Sequence, residues 1–103
     1  GVIGFTQSLA LEMAEHNVTV NAICPSLIET ERVYGMASAL KPDPEISTEE
    51  WRDVMVERAG ETNPLGRIGQ AQDVADVAAF LASSQADYLT GLAINVAGGS
   101  HMD

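Results

Sequence analysis

An apolar run that ends abruptly at a proline is the feature that most constrains this chain. Residues 18–24 are rich in β-branched side chains and are apolar on both faces apart from Thr19 and Asn21. This pattern is typical of an inner parallel strand, and Pro25 ends the pairing because proline has no N–H to donate. In an open parallel sheet, ligands bind just beyond the carboxyl ends of the strands. The segment from Pro25 to Thr30 is therefore predicted to form the edge of a ligand site.

A helical pattern precedes this strand. Over residues 2–14, apolar residues recur at spacings of three and four, which predicts an amphipathic helix with a wide buried face. The apolar stripe consists of Val2, Phe5, Leu9 and Met13. Asn17 suits the left-handed conformation in which helices often end. The link from helix to strand is therefore short, as in a βαβ architecture.

Residues 29–63 form a long and irregular excursion between the core elements. An insertion of this size is usually functional, as a lid or as a substrate loop. A surface helix that packs its Trp51 and Met55 side chains on a neighbour is the alternative. The pattern alone does not choose between these two interpretations.

Two helices are predicted within this excursion. One covers residues 31–40, although Gly35 weakens it. Ser47 and Glu50 have the spacing of a capping box, which predicts the start of a second helix. This second helix is expected to stop at Gly60, because glycine is common just beyond a helix C-terminus.

A helix over residues 71–82 and a short strand over residues 92–96 complete the chain. Two strands joined through a helix would be parallel neighbours with a right-handed crossover. Two strands alone leave a long unpaired apolar edge, so the sequence predicts a larger sheet than it contains. The chain also opens within a helical pattern and without an initiator methionine. We therefore expect it to be the later part of a longer polypeptide.

Composition argues against several classes of function. Fifteen acidic residues and five basic ones give a formal charge of −10, which repels nucleic acid and anionic membranes. No apolar run approaches the roughly 20 residues of a membrane span. The single cysteine, Cys24, is expected to be a buried free thiol in a reducing, cytoplasmic setting. Cys24, His16 and His101 are too scattered along the sequence to match the spacing of a zinc site. No serine has an evident histidine partner for a hydrolase triad.

Four stretches carry motifs in a fixed order. Residues 1–12 read GVIGFTQSLALE, and residues 20–30 read VNAICPSLIET. Residues 64–69 read PLGRIG and are followed by DVA, while FLAS and YLTG lead into the final GG. The first stretch resembles the helix after the Tyr-x-x-x-Lys motif of the classical short-chain dehydrogenases/reductases. The others resemble that family's V-N-x-I-x-P-G-x-[IV]-x-T, P-x-x-R-x-G and F-L-x-S…Y-[IL]-T-G…V-D-G-G segments, so the resemblance covers nearly the whole chain.

The resemblance implies an α/β fold in which this chain is the C-terminal portion of a Rossmann-type doubly wound parallel sheet. Residues 1–103 would then belong to one domain with two strands, flanking helices and a substrate-loop insertion at residues 29–63. The implied activity is interconversion of an alcohol and a carbonyl by hydride transfer with NAD or NADP, in a homo-oligomer that is a tetramer or a dimer.

The family's Gly-rich loop and its catalytic residues would all precede Gly1. The resemblance therefore implies that this chain contains no catalytic residue and is inactive without an N-terminal half. The choice between NAD and NADP belongs to that half and stays open.

Carried over residue by residue, the resemblance implies two sets of site residues. The cofactor-binding set lies beside the nicotinamide and consists of Pro25, Ser26, Leu27, Ile28 and Thr30. In the family, the backbone at the Ile28 position pairs with the carboxamide and the hydroxyl at the Thr30 position reaches the carboxamide or the phosphates. A carboxamide has one acceptor and two donors, so backbone groups held by a proline can meet it in one orientation only. The substrate-side candidates lie in the lid and are Tyr34, Met36, Leu40 and Trp51.

Two residues depart from the family's pattern. Ser26 stands where the family has glycine after the proline, a position that serine can occupy if its φ is negative. Ala97 stands where the family has aspartate, which removes a carboxylate near the subunit contact region. A noncatalytic protein that uses the same surfaces only for association is the rival interpretation. The absence of Tyr-x-x-x-Lys just before Gly1 would decide in its favour.

Overall fold

The computed structural model describes residues 1–102, which fall into two compact units. The first unit contains residues 1–24 and 72–96, and the second contains residues 25–71 and the chain from residue 97 onward. The elements follow in the order α1 (Val2–Met13), β1 (Ala22–Pro25), β2 (Ile28–Glu29), α2 (Glu31–Leu40), α3 (Thr48–Thr62), β3 (Gly69–Gln70), α4 (Ala71–Ala82) and β4 (Ala93–Val96), with 3₁₀ turns at Ala14–His16 and Ser84–Ala86.

Strands β1 and β4 are hydrogen-bonded neighbours in the first unit. Just ahead of them, the Gly91 N–H donates to the Val20 carbonyl and the Ala22 N–H donates to the Leu92 carbonyl, each at 2.8 Å. Both residue numbers rise together along the pair, so the two strands are parallel, as the helical connection between them requires. The predicted α/β arrangement with parallel strands is confirmed.

Both of these strands begin later than predicted. Residues 18–21 were expected to be part of β1, but the Val20 N–H donates to the Thr90 Oγ1 at 2.9 Å instead of to a strand. The Asn21 side chain donates to the Leu89 carbonyl and accepts the Leu92 N–H, each at 3.1 Å. These side-chain bonds satisfy the backbone before the ladder starts. β1 then ends at Pro25, so the proline closes the strand as its missing N–H predicts.

Helix α1 differs from its prediction in the face that it buries. The regular helix ends at Met13, and Asn17 adopts the expected left-handed conformation with φ 58° and ψ 36°. Thr6 and Ala10 are its buried residues, whereas Val2 and Phe5 of the predicted stripe are 71% and 68% exposed. Ala10 belongs to the predicted face, and Leu9 and Met13 of the stripe are partly buried. The prediction of a buried stripe is therefore wrong for Val2 and Phe5 only.

In the second unit, helices α2 and α3 pack together around Val33 and Ala37, which are both fully buried. The serine cap of α3 is confirmed, because the Ser47 Oγ accepts the Glu50 N–H at 3.1 Å. The predicted stop at Gly60 is wrong, since α3 continues to Thr62. A Cβ on Gly60 would lie 3.3 Å from the Gly66 carbonyl oxygen. The missing side chain therefore lets the following loop pass close to the helix.

A second, short pair of parallel strands was not predicted. β2 pairs with β3 in the register Ile28 with Gly69 and Glu29 with Gln70. The Ile28 side chain occupies the space beside Gly69, so a Cβ added there would require the Ile28 Cδ1 to move. Two-residue strands show no measurable periodicity, which is why the sequence pattern misses them.

Helix α4 has the predicted bounds, Ala71–Ala82. None of the helices within residues 1–102 has the length and apolar character that crossing a bilayer requires.

Candidate functional site

The residues that follow β1 line a groove in the second unit, with a volume of about 400 Å³. We call it the Pro25 groove. Its lining residues are Pro25, Ser26, Leu27, Ile28, Thr30, Arg32, Val33 and Met36. All five residues predicted to bind the cofactor are therefore brought together, along with Met36 from the predicted substrate set.

The other three predicted substrate residues do not line this groove. Tyr34 is half exposed on α2, and its hydroxyl donates to the Glu49 carboxylate at 3.1 Å. Leu40 is 63% exposed at the end of the same helix. Trp51 is partly buried, and the Arg58 guanidinium stacks over its ring with 5.2 Å between the Arg58 Cζ and the ring centroid. Their substrate roles stay predictions.

The backbone of residues 25–30, which we call the wall segment, is held at several points. Among residues 1–102, Asn17 is the one non-glycine residue with positive φ, so Ser26 occupies the family's glycine position without strain. Ile28 lies against Gly69 in the β2–β3 pair. Thr30 is the N-cap of α2, and its carbonyl accepts the Val33 N–H at 3.0 Å. Because the Thr30 hydroxyl makes no capping bond, it keeps its capacity for a ligand.

A half-buried ion pair joins the wall segment to α3. The Arg52 Nη2 lies 2.5 Å from the Glu29 Oε1, and the two side chains are 31% and 26% exposed. The second carboxylate oxygen of Glu29 accepts from the Gln70 amide at 2.7 Å. We call Glu29, Arg52 and Gln70 the carboxylate clamp. The carboxylate clamp connects α3 and β3 to Glu29 of the wall segment. The sequence pattern did not predict it.

The acidity of the Tyr34 phenol is changed by a neighbouring carboxylate. Its hydrogen bond to Glu49 and the negative charge of that carboxylate raise the pKa of Tyr34 above its ordinary value of 10.0. The phenol therefore stays protonated at neutral pH and acts as a donor that links α2 to α3. It is exposed to solvent and is not placed to exchange a proton with a ligand in the Pro25 groove.

A second groove, also about 400 Å³, lies in the same unit and shares Ser26 and Leu27 with the first. We call it the Arg58 groove. Its remaining lining residues are Met55, Arg58, Ala59, Thr62, Asn63, Ser100 and His101. Four of these lie at positions i, i+3, i+4 and i+7 of α3 and so form one helix face. The helical spacing was visible in the sequence, but the position of the face beside the wall segment was not.

Sequence reasoning also missed Arg32, which lies in the first turn of α2 and lines the Pro25 groove. Neither Arg32 nor Arg58 has a carboxylate within ion-pair distance among residues 1–102. Within the part of the chain that the structure describes, no acidic residue lines either groove. Two further grooves differ, because one is lined by Glu29, Glu57 and Glu61 and the other by Glu12 and Glu15.

The remaining candidates from the sequence are the metal-ligating side chains, Cys24 and Ala97. No group of three metal-ligating side chains occurs within residues 1–102. Cys24 is a free, partly buried thiol, as expected from its apolar surroundings. Ala97, which replaces the family's aspartate, is buried, and its carbonyl accepts from the Ser100 N–H at 3.0 Å and from the Ser100 hydroxyl at 2.7 Å.

Parallel strands with flanking helices, and a groove just beyond the carboxyl end of a strand, define a Rossmann-type α/β protein. Comparison with known proteins then identifies the family. The family model described as enoyl-(acyl carrier protein) reductase matches residues 1–101. The chain belongs to the short-chain dehydrogenase/reductase family, which confirms the resemblance seen in its motifs.

Curated relatives include the 3-oxoacyl-[acyl-carrier-protein] reductase of Salmonella typhimurium, 41% identical over 104 residues. The match covers 99% of this chain and 36% of that protein. The reductase of the same name from Aquifex aeolicus is 40% identical over 99 residues, with 96% and 34% covered. The chain thus spans about a third of the length of these relatives.

Solved structures agree in fold. An aldohexose dehydrogenase of Thermoplasma acidophilum superposes with a TM-score of 0.82 and 37% identity, covering 96% of this chain and 37% of that one. A structure described as an NADPH-dependent reductase involved in bacilysin biosynthesis gives a TM-score of 0.80 at 31% identity, covering 98% and 37%.

Proposed function

We propose that this chain is part of an NAD(P)-dependent oxidoreductase that interconverts an alcohol and a carbonyl. The observation that carries the proposal is the Pro25 groove, in which all five predicted cofactor residues meet. The family membership supports the same reaction class, since the relatives named above are reductases and a dehydrogenase.

The groove fits a nicotinamide cofactor in its chemistry. Its lining includes the apolar side chains of Leu27, Ile28 and Val33, together with Arg32 and, among the described residues, no acidic side chain. A flat ring can lie on the apolar part, while the guanidinium attracts phosphate. When bound, the nicotinamide supplies or accepts the hydride, and the alcohol or carbonyl oxygen exchanges a proton with a group elsewhere.

The wall segment orients this ring. Pro25 fixes the direction in which the chain leaves β1, and the backbone around Ile28 offers the donor and acceptor that a carboxamide needs. The Thr30 hydroxyl adds a contact to the carboxamide or to the phosphates. Residues 29–63, with Tyr34, Met36, Leu40 and Trp51, serve as the substrate lid in this proposal.

The proton chemistry is assigned to an N-terminal half. The 103 residues contain no Tyr-x-x-x-Lys, since Ser38 and Leu92 stand four residues after Tyr34 and Tyr88. We propose that the chain forms the C-terminal part of one Rossmann domain, is inactive by itself and works in a cytoplasmic homo-oligomer. The absence of acid from the Pro25 groove is compatible with NAD and with NADP.

The test is cofactor binding and turnover by the full-length gene product that contains these residues. Thr30→Val removes one hydroxyl hydrogen bond and is expected to raise the cofactor KM about threefold to tenfold. Thr19→Val is the matched control, because Thr19 is exposed and lies outside the groove. A wild-type protein that binds neither NAD nor NADP would favour the noncatalytic association module instead.

A further inference from the structure

We propose that the Arg58 groove binds an anionic group of the substrate, a phosphate or a carboxylate, through the Arg58 guanidinium. This inference rests on the proposed function and names a substrate class for it. The Arg58 groove borders the same Ser26 and Leu27 that form part of the Pro25 groove. A substrate must lie next to the nicotinamide to exchange a hydride with it, and this second groove adjoins the wall segment on which we place the ring.

The distribution of charge is the first observation. The chain carries fifteen acidic residues and five basic ones, so most surface grooves should contain a carboxylate. The grooves lined by Glu57 and by Glu12 follow that expectation. The two grooves that share Ser26 and Leu27 do not, because each is lined by an arginine and, among residues 1–102, by no acidic side chain. An acid-free groove with a cation attracts an anion even on a protein whose net charge is negative.

The state of Arg58 is the second observation. Arg52 is held by Glu29 and Asp53, whereas Arg58 has no carboxylate partner among residues 1–102. Its guanidinium instead stacks over the Trp51 ring, with 5.2 Å between the Arg58 Cζ and the ring centroid. A contact with the face of an aromatic ring uses no hydrogen-bond acceptor, so the guanidinium N–H groups remain available to an anion. Trp51 therefore positions an arginine that is ready to donate to an anion.

The remaining lining residues of the Arg58 groove indicate what kind of ligand would fit it. Leu27, Met55 and Ala59 provide an apolar strip, and Asn63 and Ser100 provide hydrogen-bonding groups. Met55 lies one helical turn before Arg58 on the same face of α3. A substrate with a short apolar segment next to a phosphate or carboxylate matches this order. Trp51, predicted as a substrate residue, then acts through Arg58 and is a positioning residue.

The experiment compares pairs of substrates that share one reacting ketone and differ in charge. The phosphate pair is 3-oxobutyl phosphate and 4-hydroxybutan-2-one. The carboxylate pair is acetoacetate and methyl acetoacetate. Each is reduced by the full-length gene product with its preferred nicotinamide cofactor. We expect the wild type to show the lower KM for the charged member of one pair, and that pair identifies the anion.

Arg58→Met is expected to raise the KM for the charged member about tenfold, the effect of losing one charge-assisted hydrogen bond. The KM for the neutral member and kcat should change less than about twofold. Arg67→Met is the matched control, since it removes the same charge from a residue that lines neither groove and lies outside residues 29–63. Arg58→Lys keeps the charge without the stacked fork and should give an intermediate KM. Trp51→Leu should raise the same KM by a larger factor than it raises the KM for the neutral member.

Failure of this inference is distinct from failure of the proposed function. A wild type that reduces charged and neutral members with equal KM, or an Arg58→Met protein whose KM values match those of Arg67→Met, overturns the anion site alone. A wild type that binds no nicotinamide cofactor overturns both. If Arg58→Met does not fold, the Arg58→Lys and Trp51→Leu proteins decide, and unchanged KM values in both overturn the anion site.

Discussion

Breaking the carboxylate clamp should lower the free energy of unfolding by an amount that depends on how deeply the Arg52 and Glu29 side chains are buried. The perturbation is Arg52→Met in the full-length gene product, which removes the ion pair between Arg52 and Glu29. The methionine retains an apolar stem of similar length, so the loss reports mainly on the charge and its hydrogen bond. The assay is urea unfolding followed by circular dichroism, with the free energy of unfolding extrapolated to water.

The exposure of the two side chains determines the magnitude. They are 31% and 26% exposed, which lies between a solvated pair and a buried one. Exposed pairs contribute about 0.2–1 kcal/mol, and removal of one partner from a buried pair costs about 3–5 kcal/mol. Gln70 still donates to the Glu29 Oε2 after the change, so the carboxylate is not left without a partner. We expect a loss of about 1.5–2 kcal/mol, between those limits.

The second contact of Arg52 supplies the control. The Arg52 Nη1 also lies 3.2 Å from the Asp53 Oδ1, but the Asp53 side chain is 76% exposed. Asp53→Asn should therefore cost less than about 0.5 kcal/mol. A double-mutant cycle with Glu29→Gln should show a coupling energy above about 0.5 kcal/mol. If Arg52→Met and Asp53→Asn gave equal losses, or if the cycle gave no coupling, the reasoning from burial would be refuted.

Three further predictions concern backbone and protonation. Gly99→Ala should lower the melting temperature by several degrees, because Gly99 has φ 89° and an added Cβ would lie 3.0 Å from the Pro64 Cβ; a melting temperature equal to that of a Gly35→Ala control, where nothing lies near the added Cβ, would contradict this. Glu49→Gln should lower the pKa of Tyr34, as measured by ultraviolet titration. Because the folded-state pKa of Tyr34 is raised, the protonated phenol stabilises the folded protein at pH values below the unfolded-state pKa. This stabilisation is lost as pH rises above about 10. A titration curve unchanged by the substitution would refute the assigned cause. Residues 1–103 expressed alone should unfold without a sharp cooperative transition, because Val2, Phe5 and Tyr88 are exposed in the first unit; a two-state melt in a monomer would contradict it.

Local signals in the sequence were sufficient for the helices. The Ser47 cap and the apolar periodicity predicted α3 and α4 well, and α4 begins and ends at the predicted residues. The left-handed Asn17 followed from its side chain. Gly60 shows where such reasoning fails, because its role depends on a loop that passes close to the helix and not on local propensity. The prediction that Val2 and Phe5 of α1 are buried is wrong for a related reason, since burial depends on what packs against the helix.

The candidate site was predictable only in part. The wall segment followed from a strand that ends at Pro25 and from the family motif, and its residues do meet in one groove. In the carboxylate clamp, Glu29 bonds to Arg52, which lies 23 positions further along the chain, and to Gln70, which lies 41 positions further along. No rule of sequence spacing predicts contacts between residues so far apart. Arg32 and Arg58 became notable only when the grooves showed which charged side chains lie together. Long-range pairing of this kind is set by the tertiary fold.

The most direct test of the central claim is to observe where a nicotinamide cofactor binds. The chain has methionines in different places, with Met36 in the Pro25 groove, Met55 in the Arg58 groove and Met13 in the first unit. Their methyl groups can be labelled with ¹³C in the full-length gene product and assigned by Met→Leu substitutions. On addition of NAD or NADP, the Met36 methyl signal should shift most and the Met13 signal least. A Met36 signal that stays in place while the protein binds the cofactor would contradict the account.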